Sequence, residues 1–200
     1  MSKVYVTRML PRPVMEELGR VCEYAANEED RPASREELLS GVKGCDGVIS
    51  MLNDVIDAEV MRAAGPQCRI LANYAVGYNN IDLAEAQRLG IAVTNTPGVL
   101  TDATADMTWA LLFAAARRVP EGDRLVRHGS FNWAPEFMLG ADITGRTLGV
   151  IGAGRIGLNF ARKARGFDMK VIYTGRHRSS DFEAETGADQ IGRASCRERV

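Results

Sequence analysis

The chain has 200 residues, 46% hydrophobic and 26% charged, which is the balance of an ordinary globular protein with a sizeable core. Its formal net charge of -1 gives no sign of a surface that binds nucleic acid or anionic membranes. The longest apolar run, residues 109–116, is too short to span a bilayer, and no signal-peptide segment opens the sequence. We therefore expect a cytoplasmic protein without a membrane or nucleic-acid partner.

The four cysteines lie far apart in the sequence, at Cys22, Cys45, Cys68 and Cys196. They form no C-x-x-C pair and have no histidine nearby, which argues against both a metal site and a secreted disulfide framework. We therefore expect reduced thiols and no bound metal.

The first hundred residues alternate short β-branched runs with amphipathic stretches. Strands are predicted over residues 4–7, Gly47–Ser50, Ile70–Asn73 and 91–94. Helices are predicted over 13–21, over 35–39 with Ser34 and Glu37 as a capping box, from Asp57 to about Ala64, and over Leu83–Leu89 before Gly90. Such alternation is typical of a parallel sheet covered on both faces, so residues 1–100 are predicted to form a small flavodoxin-like α/β domain.

A turn cluster at residues 95–98 precedes a long predicted helix, which Thr101 or Asp102 is expected to cap and which ends near Arg118. Because residues 109–116 are apolar almost all round, we expect this helix to be buried on several sides. Pro120 is expected to stop it, and residues 121–140 are expected to form an ordered excursion. The predicted apolar stripe consists of Ala103, Met107, Ala110, Leu111 and Ala114.

A G-x-G-x-x-G loop at residues 152–157 lies between the predicted strand Thr147–Ile151 and a helix predicted over 158–165. A further strand is predicted over 169–174, and this strand–loop–helix–strand context predicts a dinucleotide-binding Rossmann unit. The predicted contacts to the dinucleotide are Gly152, Gly154, Arg155, Ile156 and Gly157.

Each glycine of this loop has its own expected role. Gly152 permits the tight turn, Gly154 lets the backbone approach a pyrophosphate, and Gly157 lets helix and strand pack closely. The N–H groups at the start of the helix then face the negative charge of the pyrophosphate.

The end of the next predicted strand indicates which cofactor is used. Proteins that bind NAD usually carry Asp or Glu about 20 residues beyond the loop, where it bonds the ribose 2′-hydroxyl. Residues 173–178 contain no carboxylate, whereas Arg176 and Arg178 can bind a 2′-phosphate. NADP(H) is therefore preferred over NAD(H), with ordinary surface arginines as the alternative.

Four motifs in chain order resemble those of the D-isomer-specific 2-hydroxyacid dehydrogenases; they lie at residues 72–82, 94–98, 101–118 and 152–157. Within that family, residues 132–135 and 174–176 are most similar to glyoxylate/hydroxypyruvate reductases. The resemblance covers about residues 1–190. It implies a substrate domain over 1–100 and, over 101–190, the first part of a truncated Rossmann NAD(P)-binding domain with a dimerisation helix and excursion.

The resemblance also implies roles for single residues. The main chain of Val76 and Gly77 would bind the substrate carboxylate, which suits a glycine that leaves N–H groups accessible to an anion. Thr108 would approach the nicotinamide cofactor, and Trp133 would enter the active site of a neighbouring subunit in a homodimer. The alternatives are a plain turn, a hydroxyl bonded to the preceding helical turn, and a rim tryptophan.

The activity that the resemblance implies is hydride transfer from the reduced cofactor to a small 2-oxo acid. It would reduce glyoxylate to glycolate, or hydroxypyruvate to D-glycerate. The family's catalytic arginine, glutamate and histidine would lie beyond the end of this chain, so no catalytic residue is predicted here and the chain itself is expected to be inactive. His128 and His177 are expected to be surface residues. A D-3-phosphoglycerate dehydrogenase-like enzyme and a non-catalytic NAD(H)-sensing protein of the corepressor type are the alternatives.

Residues 191–200 carry three arginines and a cysteine without an apolar period. They resemble a translated sequencing adapter, so a non-native tail closing a truncated reading frame is expected, with a genuine divergent C-terminus as the alternative.

Overall fold

The computed structural model of the chain describes residues 1–129 and 131–191. The chain forms two compact units, Met1–Val99 and Leu100–Val200. The predicted non-native tail lies outside the described residues, apart from Ile191. Within the described ranges, no helix is both long enough and apolar enough to cross a bilayer.

The first unit contains a five-stranded parallel sheet with the strand order β2-β1-β3-β4-β5. Its strands are β1 (Lys3–Val6), β2 (Glu23–Ala26), β3 (Gly47–Ser50), β4 (Ile70–Asn73) and β5 (Ala92–Thr94). Its helices are α1 (Arg12–Val21), α2 (Arg35–Gly41), α3 (Ala58–Ala64) and α4 (Leu83–Leu89). With right-handed crossovers, this order places α1 on one face and α2 to α4 on the other. The predicted flavodoxin-like α/β class is thereby confirmed.

The core of the first unit lies between the sheet and α2 to α4. Tyr5, Val48 and Leu71 occupy one row across β1, β3 and β4, and all three are buried. They belong to one apolar cluster with Leu38 of α2 and Val60 of α3. Residues at successive positions of a strand point to opposite faces, so this row marks the face of the sheet that packs on α2 to α4.

Local sequence signals account for several helix ends in this unit. Ser34 Oγ accepts from the Glu37 N–H at 3.2 Å, and the Glu37 carboxylate accepts from the Ser34 N–H at 2.7 Å, so the predicted capping box is present. Asp57 caps α3, and Gly90 ends α4 in the left-handed region with φ 68°. These caps satisfy N–H and C=O groups that a helix end leaves without partners.

The second unit contains a three-stranded parallel sheet with the order β6-β7-β8. Its strands are β6 (Thr147–Ile151), β7 (Lys170–Thr174) and β8 (Asp189–Gln190). Its helices are α5 (Thr101–Ala116), α6 (Val119–His128), α7 (Arg155–Lys163) and α8 (Ser180–Thr186), with a 3-10 turn over Ala164–Phe167. The segment β6-α7-β7 is the predicted Rossmann unit.

An aromatic cluster fastens α5 to α7. Trp109 lies 4.8 Å from Phe160 and 5.1 Å from Phe167 between ring centroids. The Trp109 indole N–H donates to the Phe160 carbonyl at 3.0 Å, so the buried ring has its polar group satisfied.

Three expectations for the region after residue 100 are wrong. Neither Thr101 nor Asp102 caps α5, because both lie inside the helix and its N-cap is Leu100, which makes no side-chain bond. Pro120 does not stop a helix; it lies in the first turn of α6, where its fixed φ and missing N–H are tolerated. The helical conformation is interrupted instead at Arg118, which has φ 56° in the left-handed region. Helix α6 then occupies part of the predicted excursion. Helix α7 also begins at Arg155, before the predicted residue 158.

The expected burial of α5 on several sides is also wrong for this chain. Met107 and Leu111, both in the predicted stripe, are 60% and 63% exposed. The buried face is instead the one with Ala105 and Trp109, which belongs to the same apolar cluster as Phe160 and Ala161 of α7. The sequence of an apolar helix shows that all its faces can be buried. It does not show which of those faces are covered by other residues of the same chain.

Candidate functional site

The predicted carboxylate site lies in the loop that follows β4, residues 74–80. The Val76 carbonyl accepts from Asn95 Nδ2 and the Gly77 carbonyl accepts from Asn73 Nδ2, both at 2.8 Å. In a trans peptide the N–H points opposite to the carbonyl, so the Gly77 N–H faces away from Asn95. No acceptor for the Val76 or Gly77 N–H occurs among residues 1–129 and 131–191. The loop can therefore offer main-chain donors to an anion.

The side-chain amides of Asn73 and Asn80 join this loop to the loop that follows β3. The Asn73 side chain is 2% exposed, and its Oδ1 accepts from Ser50 Oγ at 2.9 Å. Asn73 and Asn80 exchange amide hydrogen bonds of 3.1 and 3.2 Å. Asn80 also donates to the carbonyls of Met51 and Asp54, at 3.1 and 3.0 Å. Both loops are thus held by a network of side-chain amides that centres on the buried Asn73.

A buried carboxylate extends the same polar cluster. Asp54 is 5% exposed, accepts from the Met51 N–H at 2.7 Å and also accepts from the hydroxyl of fully buried Thr7. Sequence reasoning missed Thr7, Ser50, Asp54 and Asn80 as structural supports. Thr7 and Ser50 lie at the carboxyl ends of parallel strands, where ligands bind in open α/β sheets, but nothing local in the sequence links Thr7 to Asp54 or Asn80 to the loop after β3.

The glycine loop of the second unit uses its glycines in three different ways. Gly152 has φ 102°, which a residue with a side chain rarely adopts. A Cβ on Gly157 would overlap the Gly152 carbonyl oxygen, whereas a Cβ on Gly154 would meet nothing within 4 Å. Gly154 is the N-cap of α7, so the N–H groups of Arg155, Ile156 and Gly157 lie in the first turn. These residues fit a pyrophosphate, and their contact with one stays a prediction.

The loop after β7 adjoins the glycine loop. The Gly152 N–H donates to the Thr174 carbonyl at 2.8 Å, and a Cβ on Gly175 would lie 4.0 Å from the Ala153 nitrogen. Arg176 follows directly and is exposed. A nucleotide seated on the glycine loop would therefore bring its adenosine ribose towards this segment.

The two arginines proposed for the 2′-phosphate differ in their surroundings. Arg178 donates to both carboxylate oxygens of Glu183, with distances of 2.8–2.9 Å. This pairing raises the pKa of Arg178 and lowers the pKa of Glu183. Arg176 has no ion-pair partner in the described part of the chain. The sequence alone does not show which of the two arginines pairs with Glu183, because this depends on how the loop is positioned against α8.

Thr108 and Trp133, the remaining predicted site residues, have simple environments. The Thr108 hydroxyl donates to the Thr104 carbonyl at 2.8 Å, which matches the alternative role of a hydroxyl bonded to the preceding turn. Trp133 is 77% exposed, in the segment between α6 and β6. In that segment the rings of Phe131 and Phe137 stack at 5.4 Å. Roles for Thr108 and Trp133 towards a cofactor or substrate stay predictions.

Comparison with known proteins gives a consistent result. The family model described as D-isomer specific 2-hydroxyacid dehydrogenase, catalytic domain, matches residues 4–195. A glyoxylate reductase of Korarchaeum cryptofilum is 49% identical over 191 residues, which cover 94% of this chain and 57% of that protein. A glyoxylate reductase of Thermococcus kodakarensis is 48% identical over 192 residues, with coverages of 94% and 57%.

A solved structure supports the fold as well. The TT0316 protein from Thermus thermophilus is 40% identical, with a TM-score of 0.84 over 95% of this chain and 64% of that one. The chain spans about 57% of the length of the curated relatives above. Since the family model matches nearly the whole sequence, the chain belongs to the D-isomer specific 2-hydroxyacid dehydrogenase family.

Proposed function

We propose that the whole protein is an oxidoreductase that reduces glyoxylate to glycolate, or hydroxypyruvate to D-glycerate, with NADPH as the preferred cofactor. The observation that carries this proposal is the glycine loop, in which Gly152 has a positive φ and Gly157 has no room for a side chain. The substrate class is supported by the glyoxylate reductases, 49% and 48% identical, that the chain resembles.

Substrate binding is assigned to the first unit. The N–H groups of Val76 and Gly77 would bind the carboxylate of the oxo acid, because their carbonyls are already held by Asn95 and Asn73. The Leu52 side chain lies near Gly77, where its Cδ1 would be 3.9 Å from an added Cβ. An apolar side chain thus lies beside the proposed carboxylate site.

Cofactor binding is assigned to the second unit. Gly152, Gly154, Gly157 and the first turn of α7 would hold the pyrophosphate, and Arg176 would bind the 2′-phosphate. The cofactor supplies the hydride when bound. We assign no residue of this chain to the family's catalytic arginine, glutamate or histidine, and we propose that the chain binds ligands without turnover.

The exposed apolar face of α5 supports a homodimer. Met107 and Leu111 of α5, and Val119 and Val126 of α6, are each more than half exposed. Apolar surface of this extent fits an interface with a second copy. Trp133 would then contact substrate bound to that copy. We assign the protein to the cytoplasm, with a small 2-oxo acid as its substrate.

Two measurements test the proposal. The complete gene product should oxidise NADPH in the presence of glyoxylate or hydroxypyruvate, with a higher kcat/KM for NADPH than for NADH. A clear preference for NADH would refute the cofactor assignment, and absence of turnover with both acids would refute the substrate assignment. The 200-residue chain should bind NADPH without oxidising it; turnover above background would contradict its assignment as ligand-binding only.

A further inference from the structure

The loop after β7 is fastened by contacts from α8. Tyr173 is fully buried, and its ring packs on Phe182 with centroids 4.7 Å apart. Its hydroxyl donates to Glu183 Oε1 at 2.8 Å and accepts from the Ser179 N–H at 2.9 Å. The Tyr173 side chain therefore fixes the segment 175–179 at Ser179, and it also holds Glu183.

Glu183 is the anchored member of its pair with Arg178. The Glu183 side chain is 19% exposed, whereas that of Arg178 is 76% exposed. A bond to Tyr173 also fixes the carboxylate, while the arginine has no second side-chain partner among the described residues. The position of Arg178 is therefore dictated by Glu183 rather than the reverse.

This pairing divides the two arginines of the loop into unequal cations. The carboxylate compensates the charge of Arg178, so this guanidinium attracts an approaching phosphate less strongly than an unpaired one would. Arg176 lies nearer the glycine loop in sequence, directly after Gly175, and is exposed without an ion pair in residues 1–129 and 131–191. A 2′-phosphate approaching the loop would meet the full positive charge of Arg176 and the largely compensated charge of Arg178.

We propose that Glu183 is a positioning residue that limits 2′-phosphate recognition: it withdraws Arg178 and leaves Arg176 as the principal cation. Glu183 touches no cofactor and acts through Arg178. This inference rests on the proposed NADP(H) site and deepens it, since it names the residue that sets how strongly a 2′-phosphate is preferred.

The test is calorimetric binding of two nucleotides to the 200-residue chain. Adenosine 2′,5′-bisphosphate and adenosine 5′-monophosphate differ only in the 2′-phosphate, so their ratio of Kd values isolates its recognition. Glu183→Gln keeps an oxygen that can accept from Tyr173 and removes the charge. We expect it to tighten bisphosphate binding about two- to fivefold, the range of an exposed ion pair, and to leave monophosphate binding unchanged.

Matched variants show whether the effect passes through Arg178. In an Arg178→Gln background the gain from Glu183→Gln should vanish, and Arg178→Gln alone should change bisphosphate binding less than about twofold. Arg176→Gln should weaken bisphosphate binding about tenfold, the effect of one charge-assisted contact. Unfolding curves of each variant, followed by tryptophan fluorescence, show that the second unit stays folded.

The outcomes separate this inference from the function on which it rests. Unchanged or weaker bisphosphate binding in Glu183→Gln, with normal monophosphate binding, would overturn the role of Glu183 alone. A gain that persists without Arg178 would overturn it too, because the effect would be a general charge effect. Failure of every variant to bind either nucleotide would refute the proposed cofactor site, and this inference with it.

Discussion

Replacing Gly157 with alanine tests the close approach between α7 and the turn that precedes it. The added Cβ would overlap the Gly152 carbonyl oxygen and would lie 3.4 Å from Val150 Cγ1, so the backbone must move. Overpacking costs about 1–3 kcal/mol, whereas alanine in place of a helical glycine stabilises by about 1 kcal/mol. Because the added Cβ meets backbone and not a flexible side chain, the upper part of that range, about 2–3 kcal/mol, applies, and we expect the free energy of unfolding of the second unit to fall by about 1–2 kcal/mol after the helix gain is subtracted.

The tryptophans make this unit separately measurable. Both lie in it: Trp109 is 6% exposed within the aromatic cluster, and Trp133 is 77% exposed. In a Trp133→Phe background, fluorescence during urea unfolding therefore reports Trp109 alone. The Gly157→Ala variant should unfold at lower urea concentration, with the slope of the transition unchanged.

Gly154→Ala is the matched control. A Cβ there meets nothing within 4 Å, and its φ of -80° suits any residue. Its stability should stay within about 0.5 kcal/mol, because a poorer N-cap and a less flexible unfolded chain offset each other. Its nucleotide binding should nevertheless weaken, since the methyl group occupies the pyrophosphate approach. The reasoning fails if Gly157→Ala is as stable as the parent, or if Gly154→Ala binds nucleotide as tightly as the parent.

Three further predictions concern the remaining features. Asn73→Ala should lower the free energy of unfolding of the first unit by about 2–3 kcal/mol, because buried partners lose their hydrogen bonds; an unchanged urea midpoint by circular dichroism would contradict this. Arg88, with Arg62, lowers the pKa of Glu85 to about 2 from its ordinary 4.5. The advantage of the parent over Glu85→Gln should thus be full above pH 4.5 and disappear as the pH falls towards 2; a pH-independent difference in unfolding midpoint would refute it. Leu111→Glu in the complete protein should yield monomers in sedimentation velocity, and persistent dimers would exclude this face as the interface.

Two kinds of element were predicted most accurately from the sequence. They are strands covered on both faces and helix ends with a capping residue. Strands β3 and β4 lie in the middle of their sheet, and their apolar runs coincide with the predicted ranges. Helix ends were predictable where a short side chain or a glycine provides the cap, as at Ser34 and Gly90. These helix ends could be predicted because the residues that cause them lie next to them in the sequence.

Elements at the periphery were less predictable. Strand β2 went unpredicted because it is an edge strand with mostly exposed residues, so it lacks the apolar alternation of a covered strand. Helix α6 was missed because Pro120 is compatible with both the end of one helix and the first turn of the next. Only the conformation of Arg118 separates these two outcomes, and no local residue pattern encodes it.

The supports of the candidate site were hidden for another reason, which is distance along the chain. The hydroxyl of Thr7 meets Asp54, and the amide of Asn80 meets the carbonyl of Met51, across 47 and 29 residues. Residue type and spacing can identify a loop that exposes N–H groups, as at Gly77. They do not reveal which distant side chain holds its carbonyls.

The two anion sites proposed here use the same main-chain chemistry with different supports, and this difference decides how each responds to mutation. In the first unit the N–H donors at Val76 and Gly77 depend on side-chain amides that bind the carbonyls, so removing Asn73 or Asn95 disturbs them from a distance. In the second unit the donors belong to the first turn of α7, which needs no side chain to orient them. Loss of side-chain atoms should therefore impair carboxylate binding, whereas binding of the pyrophosphate should be impaired by added atoms, at Gly152, Gly154 or Gly157.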